Sequence, residues 1–117
     1  MDLTINTNSI ATGTAVVGLE GEIDVYTSIQ LKQEITQIIS QGVTLLVLNM
    51  ERVEYLDSTG LGLLIGALKR LRENDGNLII VSPSERIVRV FEITGLHKIF
   101  KIYATLAEAS EKENLAL

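Results

Sequence analysis

The residues best suited to chemistry lie in the segment YLDSTGLG at positions 55–62. Ser58 carries a hydroxyl between the carboxylate of Asp57 and the hydroxyl of Thr59. The segment separates the apolar run LLVLNM at 45–50 from a helical pattern, LGLLIGALKRL, at 61–71. The first turn of a helix has unpaired backbone N–H groups and partial positive charge, so a side chain there can cap the helix or hold a phosphate. Ser58 is therefore either a helix cap or a phosphate carrier; if Asp57 is the cap, the Ser58 hydroxyl points outward.

Other kinds of site have little support in the sequence. The chain has no cysteine and one histidine, His97, so a Ser-His-Asp hydrolase could use only that residue of a distant connector. No GxSxG motif surrounds Ser58. Gly60, Gly62 and Gly66 do not match the GxGxxG spacing of dinucleotide sites; we interpret Gly60 as allowing a turn or a close approach, and the other two as allowing tight packing. We expect no catalytic residue, no metal and no cofactor.

The composition predicts one globular domain spanning residues 1–117, because 46% of the residues are apolar and 21% are charged. A net charge of −5 without a continuous basic stripe argues against nucleic-acid binding and favours a protein partner. The longest run of apolar residues and glycine, at 61–68, is far shorter than the ~18 residues of a membrane span. The N-terminal residues MDLTINTNSI do not resemble an export signal. We therefore expect a cytoplasmic protein with no membrane association.

The first half of the chain predicts a β-hairpin, a helix and a buried strand. Alternating residues after Leu3 and again at 15–19 flank a turn cluster at 9–13. The segment TSIQ at 27–30 matches a capping box with Thr27 as the cap, and apolar residues then recur at helical spacing until Gly42. The run LLVLNM at 45–50 is typical of a central strand covered on both faces.

The second half alternates helices and strands. After the helical pattern at 61–71, the run NLIIV at 77–81 predicts a short buried strand. The segment SPSE at 82–85 predicts a helix capped by Ser82 with proline at its first position, residues 99–103 a last strand, and TLAE at 105–108 a terminal helix. Because parallel strands need crossovers, the pattern predicts an α/β fold: a mixed β-sheet opened by an N-terminal β-hairpin, with about four α-helices.

The order of these elements and three segments, GEIDVYTS at 21–28, YLDSTGLG at 55–62 and FEITGLHKIFKIY at 91–103, resemble the bacterial anti-sigma factor antagonists of the STAS domain family. The resemblance covers essentially the whole chain. It implies a partner-switching regulator of transcription that is not an enzyme. The unphosphorylated form would bind an anti-sigma factor that is also a GHKL-type serine kinase and release the sigma factor. Phosphorylation would abolish binding, and a PP2C-type phosphatase would restore it.

The resemblance also assigns roles to individual residues. Ser58 would be the phosphorylated residue, and Asp24 would lie near it and contribute to partner docking. With Ser58, the expected partner-binding residues are Asp24, Tyr26, Asp57, Thr59, Gly60 and Leu61. The free protein would be a monomer or a weak dimer.

Other functions remain open at this point. Some members of the family serve as regulatory or scaffold subunits of other signalling or transport systems. A receiver-like domain phosphorylated on Asp57 is a further alternative, although Glu22 and Asp24 poorly imitate its acidic pair and a receiver does not begin with a hairpin. A small nucleotide-binding or hydrolytic enzyme is the third.

Overall fold

The computed structural model describes residues 2–117, which form five strands, four α-helices and one short 3-10 helix. In chain order they are β1 (Leu3–Ala11), β2 (Thr14–Ile23), α1 (Thr27–Ser40), β3 (Leu45–Leu56), α2 (Ser58–Glu73), β4 (Asn77–Val81), α3 (Glu85–Ile93), the 3-10 helix (Leu96–Lys98), β5 (Lys101–Tyr103) and α4 (Leu106–Glu113).

The strands form one mixed sheet in the order β1-β2-β3-β4-β5. The β1–β2 pair is antiparallel, and each later neighbour is parallel. The predicted α/β fold with an N-terminal hairpin and four helices is therefore confirmed. Because β2, β3 and β4 run in parallel, the chain leaves them all at one edge of the sheet and returns through helices. The starts of α1 and α2 consequently lie side by side.

Alternation along the strands divides the core between the two faces of the sheet. Leu46 and Leu48 of β3 face the larger cluster, which also contains the buried side chains of α1, α2 and α3. Val47, between them, belongs to a smaller cluster with Ala109 of α4 on the opposite face. The hydroxyl of Tyr103 and the ammonium of Lys101 both bind Glu113, and these contacts hold α4 against the end of the sheet.

The strand bounds differ from the predictions in four places. Strand β2, predicted at 15–19, spans Thr14–Ile23. The hairpin turn consists of Thr12 and Gly13 alone, because β1 continues to Ala11 through a register shift. Strand β3 continues six residues beyond the apolar run, to Leu56, because it pairs with β2 as far as Ile23. The last strand begins at Lys101, since the residues before it form the 3-10 helix and its end.

Two of the three predicted capping boxes are wrong. Thr27 is already inside α1, and its backbone N–H is bound by the Asp24 carboxylate. Helix α3 is capped by Ser84, whose hydroxyl accepts from the N–H of Ile87, so Pro83 precedes the cap. The cap of α4 is confirmed, because the Thr105 hydroxyl accepts from the N–H of Glu108.

Candidate functional site

The site is built where β2 and β3 end together. Ile23 pairs with Leu56 in the parallel register, and the N–H of Asp57 donates to the carbonyl oxygen of Ile23 at 3.2 Å. The next residue of each strand is an aspartate, Asp24 after β2 and Asp57 after β3. Neighbouring strands lie ~4.8 Å apart, so the two aspartates are side by side at this edge of the sheet.

Asp57, and not Ser58, caps helix α2. A carboxylate oxygen of Asp57 accepts from the backbone N–H of Gly60 at 3.0 Å, and Asp57 has the extended backbone of an N-cap. Ser58 is the first residue of the helix and, like Thr59, is exposed. Neither hydroxyl makes a hydrogen bond to any of residues 2–117. The cap interpretation of Ser58 is therefore wrong, and its hydroxyl is free to react or to contact a partner.

Gly60 allows the start of α2 to approach the strand ends closely. A Cβ atom at this position would lie 2.6 Å from Cδ1 of Leu56 and 2.7 Å from Cγ2 of Ile23. Gly60 and Leu61 are both buried, and Leu61 belongs to the larger core cluster. These two predicted partner-binding residues are therefore buried against the strand ends and the core, and the structure does not place them on the outer surface.

Asp24 is buried, with 4% of its surface exposed. One of its carboxylate oxygens accepts from the backbone N–H groups of Tyr26 and Thr27, each at 2.9 Å. The N–H of Thr27, followed by that of Tyr26, lowers the pKa of Asp24 below its ordinary value, although burial opposes the shift. The other oxygen, Oδ2, is buried and has no hydrogen-bond partner among residues 2–117. The charge of Asp24 therefore lies beneath the edge of the sheet and is not exposed to solvent.

Exposed apolar side chains surround this edge. Tyr26 is 77% exposed, and Val25 and Ile29 at the start of α1 are more than half exposed. Tyr55, near the end of β3, is 46% exposed. Large apolar and aromatic side chains that are exposed in one area are typical of a surface that binds another molecule. We call the exposed set Tyr26, Tyr55, Ser58 and Thr59 the Ser58 surface.

The sequence did not predict a groove of about 570 Å³ between α1 and α2. Gly62 and Gly66 were expected to allow tight packing, but beyond the neighbouring residues and backbone of α2, a Cβ atom at either position would meet no atom of residues 2–117 within 4 Å. That expectation is wrong, and both glycines line the groove instead. A signal was present in the sequence: glycines four residues apart share a helix face, but their spacing does not reveal whether that face is covered.

A scan against protein-family models matches residues 7–109 to the STAS domain. The chain belongs to the STAS domain family. The anti-sigma-B factor antagonist of Staphylococcus aureus is 45% identical over 86 residues, which cover 74% of this chain and 80% of that protein.

Two solved structures of SpoIIAA resemble this STAS domain closely. The anti-sigma factor antagonist SpoIIAA in its unphosphorylated form superimposes with a TM-score of 0.81 at 30% identity, covering 95% of this chain and 96% of that one. The phosphorylated form of the Bacillus cell fate determinant SpoIIAA gives a TM-score of 0.74 at 31% identity, covering 93% and 98%. The predicted membership of the family is thus confirmed.

The remaining features of the STAS domain lie away from Ser58. His97 is in the 3-10 helix and lines a cavity with Ser82 and Arg89, none of which belongs to the 55–62 segment.

Within residues 2–117, no three His, Asp or Glu side chains are grouped as metal ligands would be. No helix in the same range is long and apolar enough to cross a bilayer.

Proposed function

We propose that this STAS domain is an anti-sigma factor antagonist controlled by phosphorylation of Ser58. The unphosphorylated form binds an anti-sigma factor that is also a GHKL-type serine kinase, and so frees the sigma factor. Phosphorylation of Ser58 abolishes this binding, and a PP2C-type phosphatase restores it. The observation that carries the proposal is the exposed, unbonded Ser58 hydroxyl in the first turn of α2, where Asp57 already provides the cap.

A phosphate on Ser58 is compatible with the fold. Because the Ser58 hydroxyl makes no hydrogen bond to the described residues 2–117, its modification breaks none among them. The phosphate carries roughly −1.5 to −2 charge at pH 7, and the positive end of the helix dipole favours such a charge by about 0.3–1 kcal/mol. The switch therefore acts on docking and leaves the domain folded.

The same phosphate opposes docking because carboxylates surround it. Asp57 is adjacent, Asp24 lies beside Asp57, and the 55–62 segment contains no lysine or arginine. Two unit charges 4 Å apart repel by ~1 kcal/mol in water and by ~4 kcal/mol at an effective dielectric constant of 20. A partner that excludes water from this surface strengthens the repulsion. A complete change from bound to free needs ~5.5 kcal/mol, which two or three such repulsions and lost hydrogen bonds together supply.

The direct test measures binding and phosphate transfer with the purified anti-sigma factor kinase of the same bacterium. Wild type and Ser58→Ala are expected to bind, and Ser58→Asp to bind at least 100-fold more weakly. Thr59→Ala is the matched control, because it removes the neighbouring exposed hydroxyl and leaves Ser58 intact; it is expected to accept phosphate. Acid-stable phosphate should appear on wild type and not on Ser58→Ala.

Several results would contradict the proposal. Phosphate on Ser58→Ala would move the acceptor to Thr59 or elsewhere, and hydroxylamine-labile phosphate would indicate a receiver-like domain modified on Asp57. Equal affinity of Ser58→Asp and wild type would show that negative charge at this position does not control binding.

A further inference from the structure

We infer that the groove between α1 and α2 receives an amphipathic helix of the anti-sigma factor, with a carboxylate placed between Lys32 and Arg70. This inference rests on the proposed function and extends it to a second contact area. The groove runs from Thr59 to Arg70 along α2, which at a rise of 1.5 Å per residue is ~16 Å, or three helical turns. Three turns are enough for apolar anchors at i, i+3 or i+4, and i+7.

The walls of the groove are apolar and open. Val25 and Ile29 of the α1 side are 52% and 62% exposed, and Leu63 and Ala67 contribute from the α2 side. Exposed apolar side chains along a groove lose contact with water when a second apolar face covers them, and this burial favours binding. Because Val25 and Ile29 are more than half exposed, an acyl chain lying against them would stay partly in water. An amphipathic helix fits an open groove better than an acyl chain does, because its apolar face enters the groove while its polar face remains in water.

Gly62 and Gly66 keep the bottom of the groove empty. Both are inside a 16-residue helix, where glycine is less favourable than alanine. Neither has a positive φ, and apart from the neighbouring residues and backbone of α2 itself, no atom of residues 2–117 lies within 4 Å of where a Cβ atom would be. Neither backbone conformation nor internal packing therefore requires glycine. Close approach of another chain is the structural use of glycine that is left.

The positive charges of Lys32 and Arg70 at the groove favour an occupant that carries an acidic side chain. Salt bridges within residues 2–117 join Arg52 to Glu20 and Lys101 to Glu113, so the groove cations Lys32 and Arg70 have no carboxylate partner in that range. Arg70 reaches towards α1 and donates to the Thr36 hydroxyl at 3.3 Å. In a chain of net charge −5, two unpaired cations beside an apolar groove attract an acidic side chain.

The groove is continuous with the Ser58 surface. Thr59 belongs to both, and Val25, at the same end of the groove, precedes Tyr26. A helix seated in the groove therefore ends beside the Ser58 hydroxyl. One partner therefore covers both areas. The groove contributes to its affinity, and phosphorylation of Ser58 decides whether it binds.

The test uses Gly66→Leu, which fills open space on an exposed helix position and should leave the melting temperature unchanged or slightly higher. We expect it to weaken binding of the anti-sigma factor kinase by 10-fold or more. Arg70→Glu should weaken binding by a similar factor. Lys69→Glu is the matched control: it makes the same charge change on the neighbouring exposed residue of α2, which does not line the groove. It should change the affinity less than threefold.

The outcomes separate this inference from the proposed function. If Ser58→Asp abolishes binding while Gly66→Leu and Arg70→Glu bind like wild type, the groove contact is wrong and the proposed switch stands. If Lys69→Glu weakens binding as much as Arg70→Glu, general charge and not the groove is responsible. If wild type does not bind the kinase, both fail. Oleate is the probe for an acyl occupant: saturable oleate binding that Gly66→Leu removes, with kinase affinity unchanged, would overturn the helix assignment.

Discussion

The starts of α1 and α2 lie side by side at the same edge of the sheet, follow paired residues of adjacent strands, and are each bound by an aspartate. Asp24 is buried and accepts from two backbone N–H groups. Asp57 is only partly buried and accepts from one backbone N–H group. The next two residues, Ser58 and Thr59, have exposed hydroxyls that bind none of residues 2–117. The start of α1 is therefore held by buried hydrogen bonds, whereas the start of α2 leaves hydroxyl groups accessible to solvent. A modification at α2 can therefore change the surface without loosening the support beneath it.

Asp24→Ala should have the largest effect on stability. It removes the acceptor for two backbone donors at a buried position, so both lose a partner. We expect the melting temperature to fall by roughly 6–12 °C. Asp24→Asn retains one acceptor oxygen and should lose clearly less. A calorimetric melt in which Asp24→Ala matches wild type would show that the start of α1 does not depend on Asp24.

Asp57→Ala should have an intermediate effect, because it removes one cap hydrogen bond at a partly exposed position. The expected loss is about 1 kcal/mol in the free energy of unfolding, measured with urea. Asp57→Asn, which keeps a capping oxygen, is the control and should be close to wild type. A loss for Asp57→Ala greater than that for Asp24→Ala would reverse the comparison.

Acid should affect the contribution of Asp24 only at low pH. The folded pKa of Asp24 is below the ordinary value of 3.8, so its charged form is stabilised by folding. That contribution is complete above pH 3.8 and is lost as pH falls through the folded pKa. The difference in unfolding free energy between wild type and Asp24→Asn should therefore be constant between pH 7 and 5 and change below 3.8. A difference that changed near neutral pH would contradict this assignment.

Ser58→Asp should have the smallest effect on stability. No hydrogen bond of the Ser58 hydroxyl is lost, and the helix dipole tolerates the added carboxylate. The melting temperature should stay within about 2 °C of wild type, while partner binding falls. If the variant unfolds, the loss of binding would be structural and the switch would not act by docking alone.

The sequence predicted the elements that periodicity and turn residues determine. Helical spacing of apolar residues identified α1 and α2, and the run at 45–50 identified the covered part of β3. It did not predict the extension of β3, because residues 51–56 pair with β2 across register shifts and no longer form an apolar run. Nor did the sequence predict which aspartate is buried. Asp24 and Asp57 look alike as residues after strands, and Asp24 is distinguished by the turn around it, whose Tyr26 and Thr27 N–H groups it binds.

The open space over Gly62 and Gly66 has a consequence for protein engineering. A methyl group fits at either position and improves helix propensity, so selection for heat resistance alone would favour alanine at both. Such a protein would withstand heating better than its parent while its groove became shallower. If the groove binds the anti-sigma factor as proposed, a higher melting temperature of such a variant would therefore not indicate that it still binds its partner.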